Sequence, residues 1–347
     1  MYIITVPTSI DIHLMPDLSA LSEASEMIGG ILSSGDVVIF ESTVYPGCME
    51  EFCFPILESA SGLTHNEDFF TGYSPGRISA GDKTHKTPDI VKITSGSNKE
   101  TADFVDSLYR LVITAGTHQV DSIRVAEAAA IIGNTQRDVN IALVNELAII
   151  FDKLGINTEE VLRAAESKSD FLPFRPGLVG GHSVSVDPYY LAHKAFEVSY
   201  HPQVILSGRR INDSMGCHVA DSVVKLMMKK RLNVVDSKIL VMGLAFKENC
   251  PDQRNTRVVD IIEELNTYHA TVEVYDPWVD VETAAEEYGI TMIDLPDPDT
   301  YDAIILCVGH KEFKAMGEAK IRTLGKPGHV LYDAKYVLDK SEADGRL

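Results

Sequence analysis

The feature that most limits how this chain can fold is an alternation of short apolar strands with helical stretches, present at both ends of the sequence and interrupted in its middle. Tyr2–Val6 is apolar and β-branched and is broken by Pro7 and Thr8, which predicts a buried parallel strand ending in a loop. Leu18, Leu21, Ala24, Ile28, Ile31 and Leu32 recur at helical spacing over Asp17–Leu32, with Asp17 as N-cap. Asp36–Glu41, DVVIFE, is a second strand. Strand, helix, strand is the βαβ unit of a doubly wound sheet. A dinucleotide-binding sheet begins with a strand, a G-x-G-x-x-G turn and a helix. No such stretch occurs here. The pattern therefore predicts a sheet entered midway, exposing an apolar edge and leaving about the first 120 residues poorly ordered or prone to aggregate.

The middle of the chain reads differently. Ser122–Leu154 is alanine-rich and amphipathic, with Gly155 placed as C-cap, and predicts one long helix. Asn157–Glu166 predicts a shorter helix, and FLPFRPGLVGGHSVSVDP carries too much proline and glycine for regular structure. Such a segment reads as a functional loop. Asp187–Glu197 and Gln203–Lys230 complete an all-helical section. Alternation returns with the strand KILVMGLAF, a helix over Asn255–Asn266, the strand TVEVYDP, a short helix over Ala284–Tyr288, and the strands DAIILCV and GHVLYDAKYVL. The expected architecture is α/β: an incomplete Rossmann-like domain over 1–118, a helical domain over 119–233 and a second Rossmann-like domain over 234–347.

Composition excludes several functions. Fifty-one acidic against 31 basic side chains give a net charge of −20, which opposes binding to nucleic acid or to an anionic membrane. The five cysteines are scattered without metal-ligand spacing and suit a reducing cytoplasm. MYIITVPTSIDIH lacks the basic start and cleavage site of a signal peptide, and no apolar run reaches the ~18 residues that span a bilayer.

Six phrases occur in order: ESTVYPG (41–47), GYSPGRI (72–78), NTQRDVNIALVNELA (134–148), FLPFRPGLVGGHSVSVDPYYL (171–191), GRRIND (208–213) and GLAFKENCPDQRNT (243–256). Together they resemble the UDP-glucose/GDP-mannose dehydrogenase superfamily, and within it the UDP-N-acetylhexosamine 6-dehydrogenases of surface-polysaccharide pathways. The resemblance implies an NAD-binding domain, a central domain that forms a homodimer, a UDP-binding domain, and oxidation of the sugar C6 alcohol to a carboxylate with two NAD. That chemistry needs a base, a hydride acceptor and a nucleophile that traps the aldehyde.

By the same resemblance, Ser183 stands where the family keeps its cysteine nucleophile, Ala130 at a lysine and Gly76 at a glutamate, while Asp187, Asn134 and Thr43 are kept. Phe171, Leu172, Phe174, Gly180, Gly181 and Lys247 match the substrate-binding segment, and Thr43 and Arg254 match cofactor contacts. Cys217 occupies the approximate place of an arginine that crosses the dimer. Hydroxyls are far poorer nucleophiles than thiolates. The expectation is a truncated member that holds NAD poorly for want of the glycine fingerprint and does not turn over, with a UDP-sugar-binding or dimerising pseudoenzyme as the alternative. Residue by residue, other readings stand beside this one: Asp187 as a helix N-cap, Arg254 as a partner of Asp252, and His182 as an unlikely base for its sequence neighbour Ser183.

Overall fold

The computed structural model describes residues 1–77 and 86–347, so Ile78 of the GYSPGRI phrase lies outside the described residues. The chain divides into two compact units, Met1–Gln136 with Ser183–Leu206 and Arg137–His182 with Ser207–Leu347.

In the first unit β1 (Tyr2–Ile4) leads through a small antiparallel pair, β2 (Ser9–Ile10) and β3 (Pro16–Asp17), to α1 (Ser19–Gly29) and β4 (Val37–Phe40). A π-helical turn, Met49–Cys53, runs into α2 (Phe54–Ser61), followed by β5 (Phe70–Tyr73), β6 (Lys92–Gly96), α3 (Lys99–Arg110) and β7 (Thr117–Gln119). The sheet order is β1-β4-β5-β6-β7, parallel except between β5 and β6. Strand β1 is an edge, and Ile3 on it is exposed, as the sequence predicts. The sheet is nevertheless packed on both faces. Leu21, Val38, Phe40, Leu57 and Tyr73 share one core, and Ile39 packs with Val105 and Tyr109 of α3 in another. The expectation of a poorly ordered segment overlooked these helices, which leave an edge open but not a face. Asp17 lies one residue outside the cap position, taken by Leu18, and its carboxylate accepts from the Ser19 N–H (3.0 Å) and hydroxyl (2.6 Å).

The long helix forms as expected: α4 spans Ile123–Leu154, and Gly155 follows it at φ +70°. Helix α5 (Thr158–Ala165) is capped by Asn157, whose side chain accepts from the Glu160 N–H at 3.0 Å. Then come α6 (Asp187–Glu197) and α7 (Gln203–Lys229). The second unit's sheet is built from β8 (Lys238–Met242), α8 (Val258–Thr267), β9 (Thr271–Tyr275), α9 (Val281–Tyr288), β10 (Tyr301–Leu306), α10 (Lys311–Arg322), β11 (Gly325–Asp333) and β12 (Gly345–Arg346). Its order is β12-β11-β10-β8-β9, all parallel, the doubly wound pattern expected. Helix α8 begins later than predicted because Asn255 takes a left-handed φ of +53°, which a helix cannot contain.

Helix α4 carries two opposed stripes. Val125, Ile132, Leu143, Ile150 and Leu154 are exposed, and at about 100° per residue they fall within about 40° of one another. Roughly opposite them stand Glu127, Asp138 and Asn145, fully buried, with half-buried Asn134. In the second unit Asp138 accepts from Arg209 Nη1 (2.5 Å) and Asn212 Nδ2 (2.7 Å), and Asn145 Nδ2 donates to Asn212 Oδ1 (2.8 Å). Arg209 is 1% exposed and also pairs with Asp213. Removing one member of a buried ion pair strands the other charge. Arg209→Ala is expected to cost about 3–5 kcal/mol in urea-induced unfolding of this unit; a loss below about 1 kcal/mol would contradict the network's role.

Candidate functional site

Open α/β sheets bind ligands beyond the carboxyl ends of their strands. In the first unit those ends are tied together by a lysine that the sequence reading passed over. Lys92, buried on β6, donates to Glu41 Oε2 (3.0 Å) after β4 and to the carbonyls of Ser74 (3.1 Å) and Pro75 (3.2 Å) after β5. Burial lowers its ammonium from the usual value against the pull of Glu41. Half-buried Thr43 follows, its carbonyl accepting from the Thr8 hydroxyl at 2.7 Å. Gly76 is exposed, and a Cβ added there would meet nothing within 4 Å.

Asn134 and Asp187 meet in the same unit. Ser183 O accepts from the Val186 N–H (3.0 Å) and the Asp187 N–H (2.9 Å), which starts α6 and turns the Asp187 carboxylate inward. Asn134 Nδ2 donates to it at 2.7 Å. Asp187 occupies the first helical position behind Val186, so the N-cap reading gives way to a buried carboxylate held by an amide. Burial pushes its pKa up to about 7, with Asn134 pulling the other way. Ala130, one turn before Asn134, supplies no cation. The Ser183 hydroxyl is half-buried and makes no hydrogen bond among the described residues, so no base activates it.

The second unit holds the glycine-rich loop. Asn145 grips Gly177 at both ends, its Oδ1 accepting from the N–H (2.8 Å) and its Nδ2 donating to the carbonyl (3.0 Å). A Cβ on Gly180 would lie 2.5 Å from the Asn255 carbonyl oxygen, and on Gly181, at φ +88°, 2.9 Å from the Phe246 ring. These glycines are therefore required by the protein's own packing. Phe171 and Phe174 are half-buried and Leu172 is exposed. Gly180, Phe246, exposed Lys247, Thr256 and Lys335 line a small cleft. Lys335, not anticipated, has no ion-pair partner among the described residues, and burial lowers its ammonium with Glu248 opposing. Two lysines on one cleft favour an anion. Arg254 is exposed and doubly bonded to Asp252 (3.0 and 2.6 Å), a weak surface pair that a phosphate can displace. His182 faces Arg254 (3.4 Å) and Asp252. Exposed Cys217 and buried Cys250 both have raised pKa, chiefly from burial, so neither replaces a thiolate.

Two doubly wound sheets, a buried carboxylate and a lysine-lined cleft define an α/β protein of the nucleotide-binding class. Family models for the UDP-glucose/GDP-mannose dehydrogenase NAD binding, central and UDP binding domains match residues 1–113, 124–214 and 240–340. The chain belongs to the UDP-glucose/GDP-mannose dehydrogenase family. It is 60% identical over 346 residues to a UDP-N-acetyl-D-glucosamine 6-dehydrogenase of Pseudomonas aeruginosa, covering 100% of this chain and 82% of that one. Identity to a Salmonella typhi protein of the same name is 56% over 346 residues, 100% of this chain and 81% of that one. A solved UDP-D-ManNAc dehydrogenase from Pyrococcus horikoshii superposes at TM-score 0.88 with 28% identity, over 99% of this chain and 79% of that one.

The match of the NAD binding domain to residues 1–113 does not support the expectation of a truncated remnant, nor the doubt about NAD. Both rested on one missing glycine motif, while the family's signature extends through the strands and the ESTVYPG turn described above. Among the described residues no helix is long and apolar enough to cross a membrane.

Asp187 has a folded-state pKa above its unfolded value. From pH ~4 to ~7 the folded state holds a proton that the unfolded state has released, so stability falls as pH rises through that window. Asp187→Asn is expected to remove this component; melting temperatures at pH 5 and pH 8 should differ less in the variant than in the wild type, and an unchanged difference would disprove the assignment.

Proposed function

We propose that this chain binds NAD and a UDP-N-acetylhexosamine as UDP-sugar 6-dehydrogenases do, but that its oxidation of the sugar C6 alcohol is severely weakened. The substrate class is supported by the 60% and 56% identities to UDP-N-acetyl-D-glucosamine 6-dehydrogenases. NAD, when bound, supplies the hydride acceptor. Lys247 and Lys335 offer charge to the diphosphate, and Arg254 to a cofactor phosphate. Asp187, poised near neutrality and oriented by Asn134, accepts the alcohol proton.

The observation that supports the weakened step is Ser183, whose hydroxyl makes no hydrogen bond among the described residues. Absence of a trapping thiolate there and of an oxyanion-stabilising ammonium at Ala130 should each cost on the order of 10²-fold in rate. Thr43 keeps its place at the strand end, and Gly76 leaves the glutamate position empty. A second reading, a fully active 6-dehydrogenase in polysaccharide synthesis, is favoured by the extent of the identity over the whole chain.

The exposed apolar stripe on α4 runs about 43 Å, from Val125 to Leu154, and supports a homodimer formed through the central helices. Five free cysteines are consistent with the cytoplasm. The expected domain division remains 1–118, 119–233 and 234–347.

The test is NADH formation from UDP-N-acetylglucosamine and its epimers, alongside calorimetric titration with UDP. The wild type should bind UDP yet form no NADH above the no-enzyme control, and the combined variant Ser183→Cys, Ala130→Lys, Gly76→Glu should form it. Wild-type turnover would replace this reading with the second, and absence of heat with UDP would end the binding claim.

A further inference from the structure

We infer that His310 is the positioning residue of the turn that carries Lys247, and that Trp278, the chain's single tryptophan, stacks where it reports on that turn. The proposal deepens the nucleotide-sugar reading and rests on it for the role of Lys247.

The turn GLAFKENC leaves the end of β8 and is fastened at two points, one before Lys247 and one after it. Before it, the buried carboxylate of Asp276, at the end of β9, accepts from the N–H groups of Leu244 (2.6 Å) and Ala245 (2.9 Å). Its other oxygen accepts from Trp278 (2.7 Å) and Val279 (3.3 Å). After it, the Asn249 N–H donates to His310 Nδ1 at 2.9 Å, and the Asn249 side chain accepts from the Lys311 N–H at 2.9 Å. Asn249 is held at φ +55°, a left-handed conformation that the two bonds maintain.

His310 joins the two fastenings. Because Nδ1 accepts from a backbone N–H, the ring proton sits on Nε2, which faces Asp276 Oδ2 at 3.1 Å. The ring is fully buried, so neither nitrogen has water as a substitute partner. Trp278 stacks on it, centroids 6.2 Å apart and planes 17° from parallel, with its indole N–H donating to Glu312 (2.9 Å). A change in the turn is thereby transmitted through Asn249 and His310 to the only indole.

Sequence alone marks none of this, since a histidine after an apolar strand is more often a packed core residue. The arrangement predicts which atom matters. An asparagine at 310 can place Oδ1 near the position of Nδ1 and keep the bond to Asn249, whereas a glutamine reaches towards Asp276 and an alanine reaches neither.

The experiment is backbone amide exchange over residues 244–250 in the full chain and in His310→Ala, His310→Asn and His310→Gln, with UDP affinity and tryptophan emission measured in parallel. Exchange at Asn249 is expected to rise about tenfold in the alanine and glutamine variants and to return to within about twofold in the asparagine variant. UDP affinity should fall about tenfold and recover in the same order, and UDP should change wild-type emission but not that of His310→Ala. If the alanine variant does not fold, the contrast between asparagine and glutamine decides. Equal exchange in all four proteins, or equal acceleration in asparagine and glutamine, overturns the positioning role. Accelerated exchange with asparagine rescue but no UDP binding by the wild type upholds the positioning role and overturns the nucleotide-sugar reading.

Discussion

A polar atom taken out of water must find a partner, and the long helix α4 places a row of them inward. Glu127, Asn134, Asp138 and Asn145 follow one another at intervals of seven, four and seven, a single helical stripe. Each is bonded by a segment that is not helical or not local, Asp138 through one of its two oxygens. Glu127 accepts from the N–H groups of Gly47 (2.5 Å) and Met49 (2.8 Å), Asn134 donates to Asp187, Asp138 receives Arg209 and Asn212, and Asn145 clamps Gly177. Helix α4 thus pins Gly47, Met49 and Asp187 in the first unit and, separately, Gly177 in the second. Losing any one partner leaves an uncompensated buried group, which is why the stripe is polar although apolar residues would form a better isolated helix.

Three buried carboxylates show how burial and hydrogen-bond donors oppose each other. Burial pushes Glu127 to about 7, with two backbone N–H groups opposing, and pushes Asp187 to about 7 with one amide opposing. At Asp276 burial acts in the same direction, yet His310 and the N–H groups of Ala245 and Leu244 outweigh it and hold the carboxylate below its usual value. Asp276 is accordingly a fixed anion that anchors two loops. Glu127 and Asp187 are both able to exchange a proton near neutral pH, and of the two Asp187 has the fewer donors.

Much of the fold was legible because it rests on periodicity. The strand DVVIFE, the long helix to Gly155 and the parallel sheet after Lys238 follow from spacing alone, and α6 begins at Asp187 as read. Features decided by tertiary contacts were not. Lys92 opens the short strand KITSG and Lys335 follows the end of β11, and only the assembled sheet shows what each touches among the described residues. The packing need for glycine at 180 and 181 comes from Asn255 and Phe246, far away in sequence. Asp187 before Pro188 looked like a cap because the amide that claims it is 53 residues distant.

The candidate site residues differ in what the fold asks of them. Among the described residues a Cβ at Gly76 would meet nothing within 4 Å and the Ser183 hydroxyl makes no hydrogen bond, while Ala130 is half-buried. At each, a side chain serving only chemistry can be exchanged with little effect on packing. Asn134, Asp187, Gly180 and Gly181 are instead locked into hydrogen bonds or close backbone approaches, so their loss would damage the structure whether or not a substrate is turned over. Retention of the Asn134–Asp187 pair is therefore a weak argument for catalysis, because stability alone would preserve it. Ser183, Ala130 and Gly76 are therefore the positions at which the chemistry of the site can change with little effect on packing.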